Sequence, residues 1–229
     1  MIATARWVSR LEQVGEIVDT FRFSLPHPDD FHPSRADVCW RQEVREVIVD
    51  GTDQEFENCK LDIQSKISEW SATWLEERRK ALLGVLPQAS PTIEHLSLAT
   101  TLFSCTTCSW RDSVHMHIDD ALTHHCSHCE WSGGLQEMFP NQNSRAVYRK
   151  TVGTPWNSGL GRYQYSANDA KLVRVVLLEC GENPEIITTQ EMNRKHHRFA
   201  SFESDGKITV ISWFEAVSCK PPSPRRSDS

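Results

Sequence analysis

Residues 105 to 131, CTTCSWRDSVHMHIDDALTHHCSHCEW, constrain the fold of this chain more than any other stretch. They contain four of its eight cysteines and five of its ten histidines. Such a concentration of thiols and imidazoles is typical of three kinds of site: a metal centre, a disulfide framework, or a Cys/His catalytic centre. The rest of the sequence helps to decide among them.

A disulfide framework is the least expected of the three. At 229 residues the chain is long enough to bury a core without crosslinks. Its first twenty residues contain no apolar run long enough for a signal peptide, and charges interrupt every hydrophobic stretch before it could span a bilayer. We therefore expect an intracellular protein, cytoplasmic or nuclear and not in a membrane, whose closely spaced cysteines stay reduced.

The spacing of the cysteines favours a metal centre. Cys105-x2-Cys108 is followed after 17 residues by Cys126-x2-Cys129, a pattern typical of four-cysteine zinc sites. A tight Cys-x2-Cys turn lets two thiolates converge on one ion, and two such turns complete a tetrahedral shell. Cys105 and Cys108 with His124 and His128 form an alternative set of two cysteines and two histidines. Both sets predict structural zinc.

The remaining histidines of this stretch do not complete a catalytic motif. His128-Cys129-Glu130 supplies the His-x-Glu of a zinc deaminase, but no downstream Cys-x2-Cys follows it. Four thiolates leave no open position on the metal for substrate, and neighbours in sequence such as His125 and Cys126 rarely have the geometry for proton transfer. His115 and His117 alternate along SVHMHID, which favours a polar face or partners of the ligands. We predict that the chain is not an enzyme.

The charge of the chain argues against nucleic acid as a partner. The formal net charge is −6, and residues 105 to 131 contain Arg111 against four acidic residues: Asp112, Asp119, Asp120 and Glu130. Because phosphate binding requires clustered Lys and Arg, a nucleic-acid-binding zinc finger is the weaker alternative. The chain also contains eight tryptophans, some of which could lie at a protein interface, where Trp is enriched.

Hydrophobic periodicity predicts a helical N-terminal half. Helical spacing recurs in the first 21 residues, again over 35 to 51, and in a longer helix from about Leu61 to Leu86 that Pro87 ends. The first helix places on one face Trp7, Leu11, Val14, Val18 and Phe21. The long helix has a buried stripe, interrupted only at Arg78, of Ile63, Ile67, Trp70, Trp74, Ala81 and Val85.

The C-terminal half combines helices with a hairpin. Residues 166 to 184 predict a helix with Gly181 at its left-handed end, and Thr188 with Glu191 forms a capping-box pattern. Two strand-like runs, from Arg198 and as far as Phe214, flank the turn dipeptide Asp205-Gly206. The predicted class is α+β: a helical region over 1–90, a Cys/His-rich α+β domain over 91–217 and a disordered tail over 218–229.

Several short motifs resemble one family. The chain from Pro26 to Val217 resembles the C-terminal region of fungal F-box-like proteins, most of unknown function. The motifs that carry the resemblance are PHPDDF, ISEWSATWLEERRKALLGVLP, LATTLFSCTTC, LTHHC, PWN, LECGENPEIITTQEMN and RF...VISWFEAV. An F-box itself is not recognisable here.

The resemblance implies a Cys-x2-Cys knuckle, a His-x-Cys on His124 and Cys126, and a late second cysteine pair. In this sequence that pair is replaced by Ser201 and Ser204, and Cys129 is an additional cysteine beside Cys126. If the family completes its zinc shell with that late pair, this chain has either lost the site or rebuilt it locally, and Cys126 with Cys129 would be the rebuild. The predicted function is a non-enzymatic, zinc-stabilised protein-interaction module, with a substrate-receptor role in ubiquitination implied by the resemblance alone. The alternatives are a nucleic-acid-binding zinc finger and an uncharacterised enzyme.

Overall fold

The computed structural model describes residues 2–26, 31–106, 116–124, 126, 142–156, 163–202 and 207–218. Over these ranges the chain is mostly helical with two small antiparallel sheets, so the predicted α+β class is confirmed. No helix in the described ranges is both long enough and apolar enough to cross a bilayer.

The helices and strands can be listed in chain order. The helices are α1 (Ile2–Ser24), α2 (Arg35–Trp40), α3 (Gln42–Val49), α4 (Asp53–Leu83), α5 (Ile93–Ser97), α6 (Ile118–Thr123), α7 (Gln142–Val152), α8 (Ala167–Glu179), α9 (Thr189–Lys195) and α10 (Trp213–Ser218). The strands are β1 (Phe103–Cys105), β2 (Tyr163–Tyr165), β3 (Arg198–Phe202) and β4 (Ile208–Ser212).

The chain divides into two compact units. The first unit comprises Met1–Ala81 with Leu122–Leu160, and the second unit comprises Leu82–Ala121 with Gly161–Ser229. This division differs from a single boundary near residue 90, because α7 contributes Tyr148 and Val152 to the core of the first unit. Periodicity in the N-terminal helices gives no sign that their core is completed from a later segment.

The N-terminal helix has the buried face that its sequence predicts. Trp7, Leu11, Val14 and Val18 are buried in the core of the first unit, and Phe21 is partly buried against it. These residues recur at steps of three and four, which places them on one side of a helix with 3.6 residues per turn. All of the charged residues of α1 lie at the other positions of the helix.

Two helices occupy residues 35 to 49, where periodicity alone suggested one continuous pattern. The backbone leaves helical geometry at Arg41, with φ −56° and ψ 136°, and α3 starts at the next residue. Ser34 caps α2 because its hydroxyl accepts from the Asp37 amide at 3.2 Å. One Asp37 oxygen accepts from the Ser34 amide at 2.9 Å, and the other accepts from the distant Trp156 amide at 2.8 Å.

The long helix α4 begins at Asp53, eight residues before the predicted start at Leu61. Thr52 sets this start, because its hydroxyl accepts from the Glu55 amide at 3.2 Å while the Glu55 carboxylate accepts from the Thr52 amide at 2.7 Å. Arg78, which interrupts the apolar stripe, lies over the Trp156 ring with its guanidinium carbon 4.6 Å from the ring centroid. At this position of the stripe, Arg78 packs against Trp156 through a cation–π contact instead of an apolar contact.

Helices α8, α9 and α10 enclose the core of the second unit, which contains the wholly buried side chains of Leu102, Val173, Leu177 and Met192. The predicted capping box of α9 is confirmed. Thr188 accepts from the Glu191 amide at 3.2 Å, and Glu191 accepts from the Thr188 amide at 2.9 Å.

The predicted C-terminal hairpin is confirmed, with one correction. Strands β3 and β4 pair antiparallel, Ala200 opposite Val210, and the predicted turn at Asp205-Gly206 lies outside the described residues, as does the tail from residue 219. The second strand ends at Ser212 and does not reach Phe214. The Ser212 amide donates to the Glu215 carboxylate at 2.7 Å and the Glu215 amide donates to the Ser212 hydroxyl at 3.2 Å, and this reciprocal pair starts α10.

Candidate metal centre

The first ligand position lies at the end of a short strand. Strand β1 pairs antiparallel with β2, which sets Cys105 opposite Tyr163 and Phe103 opposite Tyr165. On its other side Phe103 exchanges backbone hydrogen bonds of 2.8 and 3.0 Å with Met116. Phe103 and Met116 are buried, so this small β arrangement is held by apolar packing as well as by its ladder.

The other ligand positions follow helix α6. Ala121 in this helix donates its amide to the His117 carbonyl at 2.9 Å, and its carbonyl accepts from the Tyr163 hydroxyl at 3.0 Å. Tyr163 therefore contacts the end of α6 while its backbone pairs with Cys105. His124 comes directly after α6, and Cys126 two residues later.

Three side chains from these positions form a group of metal-ligand type. The Sγ atoms of Cys105 and Cys126 and a ring nitrogen of His124 all lie within 4.8 Å of one another. The two cysteines are 7% and 5% exposed, and His124 is half-buried. A tetrahedral zinc ion, with bonds of about 2.0–2.3 Å, holds its ligand atoms roughly 3.5–3.8 Å apart. Small side-chain rotations would therefore bring the group to coordination distance.

The chemistry of the group limits which metals it can hold. Thiolates and imidazole are soft to borderline donors, which suit zinc, copper(I) and iron–sulfur chemistry far better than magnesium or calcium. The group Cys105–His124–Cys126 can hold a metal ion of this class.

The structure combines members of the two ligand sets that the sequence offered. Cys105 belongs to both sets, Cys126 to the four-cysteine set and His124 to the Cys/His set, and these three residues lie together. Cys108, His128 and Cys129 lie outside the described residues, as does Ser204. Ser201, at a position where the resemblance implies a cysteine, lies in β3 opposite Thr209.

The other described cysteines stand apart from this group. Cys39 and Cys59 are buried in the core of the first unit, where desolvation raises the pKa of both thiols. Cys180 caps the end of α8 and is partly exposed, and burial also raises the pKa of its thiol. All three thiols thus favour the protonated form, which is the weaker ligand and nucleophile.

His117 is buried among aromatic side chains, which sequence alternation did not reveal. It is 6% exposed, and its ring centroid lies 5.7 Å from that of Trp213 and 5.3 Å from that of Phe214. Its Nδ1 is 3.1 Å from the Thr189 hydroxyl, while no described residue meets hydrogen-bond geometry at Nε2.

Desolvation lowers the pKa of His117 to about 4, only partly offset by Asp120 and the backbone of Thr101. The predicted polar face is therefore wrong for His117, and His115 lies outside the described residues.

Two surface grooves lie in the first unit, and each contains charged side chains that already have local partners. The larger, of about 660 Å³, lies between α1 and α4, and its Lys60 is engaged by Gln13 at 3.0 Å and Glu57 at 2.8 Å. The smaller, of about 390 Å³, is lined by α3 and α4. Its carboxylates include Glu55, which caps α4 through Thr52.

Tryptophans of the described chain pack mainly inside it. Trp7, Trp74, Trp156 and Trp213 are buried, whereas Trp40 and Trp70 are half-buried. The Arg41 guanidinium covers the Trp70 ring at 4.1 Å from its centroid. Trp110 and Trp131 lie outside the described residues.

Comparison with known proteins adds no relative from which a function could be transferred. No family model matches the chain, and no curated protein and no solved structure shows significant similarity to it. The resemblance to fungal F-box-like proteins therefore stays a prediction from the motifs.

Proposed function

We propose that this chain is a non-enzymatic protein-interaction module in which zinc is a structural staple. The observation that carries the proposal is the convergence of Cys105, His124 and Cys126, whose ligand atoms lie within 4.8 Å of one another. Two of these three side chains are buried, as expected for a site that stabilises the fold. A fourth ligand, from Cys129, Cys108 or His128, would close the shell against substrate.

The proposed role of zinc is to fix local structure. Metal binding releases protons from thiols and joins residues that are far apart in the sequence, so its binding free energy becomes folding free energy. Here it would link the end of β1 to the segment after α6. Zinc of this kind performs no chemistry on a substrate.

A protein partner is supported by apolar side chains on the surface of the second unit. Its exposed large hydrophobic residues include Leu178 at 60%, Ile186 at 69% and Val210 at 68%. Where exposed apolar side chains lie together, as Leu172, Val175 and Leu178 do along one side of α8, they are typical of protein-binding surfaces. The family resemblance extends this proposal to a substrate-receptor role in ubiquitination, and the acidic balance of the chain makes nucleic acid an unsuitable partner.

Metal analysis of the purified full chain tests the zinc site. We expect stoichiometric zinc in protein prepared without chelator, and a loss of that zinc in Cys105→Ser, Cys126→Ser and His124→Asn. Each variant should also melt at a lower temperature, as the wild type does after chelation. Cys180→Ser is the matched control, because this thiol is outside the group. Metal-free wild-type protein, or variants that keep full zinc, would refute the site.

Two binding measurements test the interaction role. Co-purification from cell extract should recover a specific protein, and retention on DNA or RNA should be blank at physiological salt. Salt-sensitive retention on nucleic acid without any protein partner would contradict the proposal.

A further inference from the structure

Helix α8 is apolar on two opposite sides. Ala170, Val173, Val176 and Leu177 are buried in the core of the second unit. On the other side Leu172, Val175 and Leu178 are 37%, 56% and 60% exposed. Successive residues turn by about 100°, so Leu172 and Leu178 lie about 60° on either side of Val175. We call these three residues the outer stripe.

Three large exposed apolar residues at helical spacing are unusual on the outer side of a surface helix. An ordinary surface helix has one apolar face towards the core and a polar face towards solvent. Ile186, 69% exposed, lies seven residues beyond the end of α8 and directly after Glu185, which forms an ion pair with Arg174 of the helix.

Charges flank the outer stripe in a self-complementary order. Lys171 stands four residues before Val175 and Glu179 four residues after it, and both are exposed. Neither forms an ion pair with any residue that the structure describes. A second α8 running in the opposite direction would bring its glutamate to the level of this lysine, and its lysine to the level of this glutamate.

We propose that the outer stripe binds the outer stripe of a second copy of this chain, with α8 antiparallel to α8 about a twofold axis at Val175. Val175 then meets Val175, Leu172 lies level with Leu178, and Lys171 lies level with Glu179 of the second copy at both ends. The interface is isologous, so the same patch serves both partners. The charge order favours a second copy over an unrelated helix, which would have to reproduce it.

The proposed dimer deepens the interaction role proposed above and rests on it, but it does not depend on zinc. None of its residues belongs to the candidate metal group. Because the patch is small, we expect a dissociation constant on the order of micromolar or weaker.

Sedimentation of the full chain over a wide concentration range tests the dimer. Val175→Glu places two carboxylates against each other at the axis and should raise the dissociation constant at least about a hundredfold. Lys171→Glu and Glu179→Lys each place like charges together at both ends, and each should raise it at least about tenfold. The double variant K171E/E179K restores opposite charges and should return it to near the wild-type value.

Controls separate pairing from folding and from the metal. All three positions are exposed, so thermal melting of the variants should match that of the wild type. Arg194→Glu makes the same kind of charge reversal on α9 and should leave the dissociation constant unchanged. A chain that stays monomeric, a dimer insensitive to Val175→Glu, or a double variant that fails to restore pairing would overturn the inference. Zinc is measured on the same samples. If zinc is absent while the double variant K171E/E179K still restores dimerisation, the metal-site proposal fails and the dimer proposal stands.

Discussion

Two helices, α3 of the first unit and α8 of the second, reach their C-terminal ends with different partners. In the first unit the C-terminal end of α3 is satisfied by a side chain from α1: Arg10 donates to the carbonyls of Val47 at 2.8 Å and Gly51 at 2.8 Å. In the second unit α8 ends through its own backbone, with Gly181 donating to Leu178 and Glu182 to Leu177, both at 2.9 Å. At the end of α3 a long-range side chain is thus added to local backbone bonds such as that from Gly51 to Val47 at 3.1 Å, whereas the bonds described at the end of α8 are local.

The difference teaches what a buried charge requires. Arg10 is 3% exposed and carries a permanent cation, which the negative end of the α3 dipole and several carbonyl oxygens solvate in place of water. Its carboxylate partner, Asp53, is itself exposed and contacts it at 2.8 Å. His117 in the second unit is comparably buried, but no residue in the described ranges meets hydrogen-bond geometry at its Nε2, and desolvation lowers its pKa to about 4, so the imidazole is neutral.

Removing the guanidinium gives the strongest test of this comparison. Arg10→Met keeps an apolar stem but removes the charged hydrogen bonds to the Val47, Ile48 and Gly51 carbonyls and the contact with Asp53, so we expect the free energy of unfolding to fall by about 3 kcal/mol. Urea denaturation measures it. Arg6→Met is the matched control, because Arg6 contacts the same Gly51 carbonyl and Asp53 carboxylate from an exposed position. If the free energy of unfolding falls equally in the two variants, the burial of Arg10 is not the cause of its contribution to stability.

Acidification tests whether His117 is buried as a neutral imidazole. The pKa of His117 is about 4 in the folded chain against an ordinary value of 6.5, so the unfolded chain binds its proton first as pH falls. Stability present above pH 6.5 should be lost progressively towards pH 4, by up to about 3 kcal/mol. His117→Gln should be less pH-dependent than the wild type in this window. Parallel pH profiles of the two proteins would contradict the burial of a neutral imidazole.

A smaller effect should come from the local terminus of α8. Gly181 has φ +74°, and a Cβ at this position meets no atom within 4 Å, so backbone strain is the whole cost of a side chain. We expect Gly181→Ala to lower the free energy of unfolding by about 1–2 kcal/mol. Gly181→Asn should lose less, because asparagine tolerates the left-handed region. If the alanine and asparagine variants lose the same free energy of unfolding, the left-handed backbone at Gly181 is not the cause of the loss.

The smallest predicted effect concerns the cap of α9. Thr188→Ala removes the hydroxyl that accepts from the Glu191 amide and should cost about 1 kcal/mol in thermal or urea unfolding. Thr188→Ser keeps the hydroxyl and should keep most of the stability. A serine variant as weak as the alanine variant would show that the methyl group, not the cap, is important.

Features set by neighbouring residues could be predicted from the sequence, and long-range ones could not. The capping box at Thr188, the left-handed Gly181 and the β3–β4 hairpin each depend on residues a few positions apart. The break at Arg41 and the earlier start of α4 at Thr52 are also local, but hydrophobic periodicity is insensitive to them. The contact of Arg10 with residues about forty positions away has no local pattern at all.

The same distinction applies to the candidate metal centre. Paired Cys-x2-Cys spacing drew attention to Cys105 and Cys126, and His-x3-His spacing to His124 as an alternative. That these three converge depends on the pairing of β1 with β2 and on the Tyr163 hydroxyl bond to α6, which join distant segments. The burial of His117 likewise depends on Trp213 and Phe214, nearly a hundred residues later.

The interrupted first unit has a consequence for synthesis on the ribosome. Its core includes Tyr148 and Val152 from α7, whereas α1 to α4 are made first. Helix α7 packs against α1 and α2, so the faces of these two helices that it covers stay exposed while all of residues 82–121 emerge before α7 does. Domains usually fold as units during translation, and partly made ones expose surfaces that aggregate. A nascent chain halted before residue 142 should therefore be held by chaperones, and one released after residue 160 should fold its first unit.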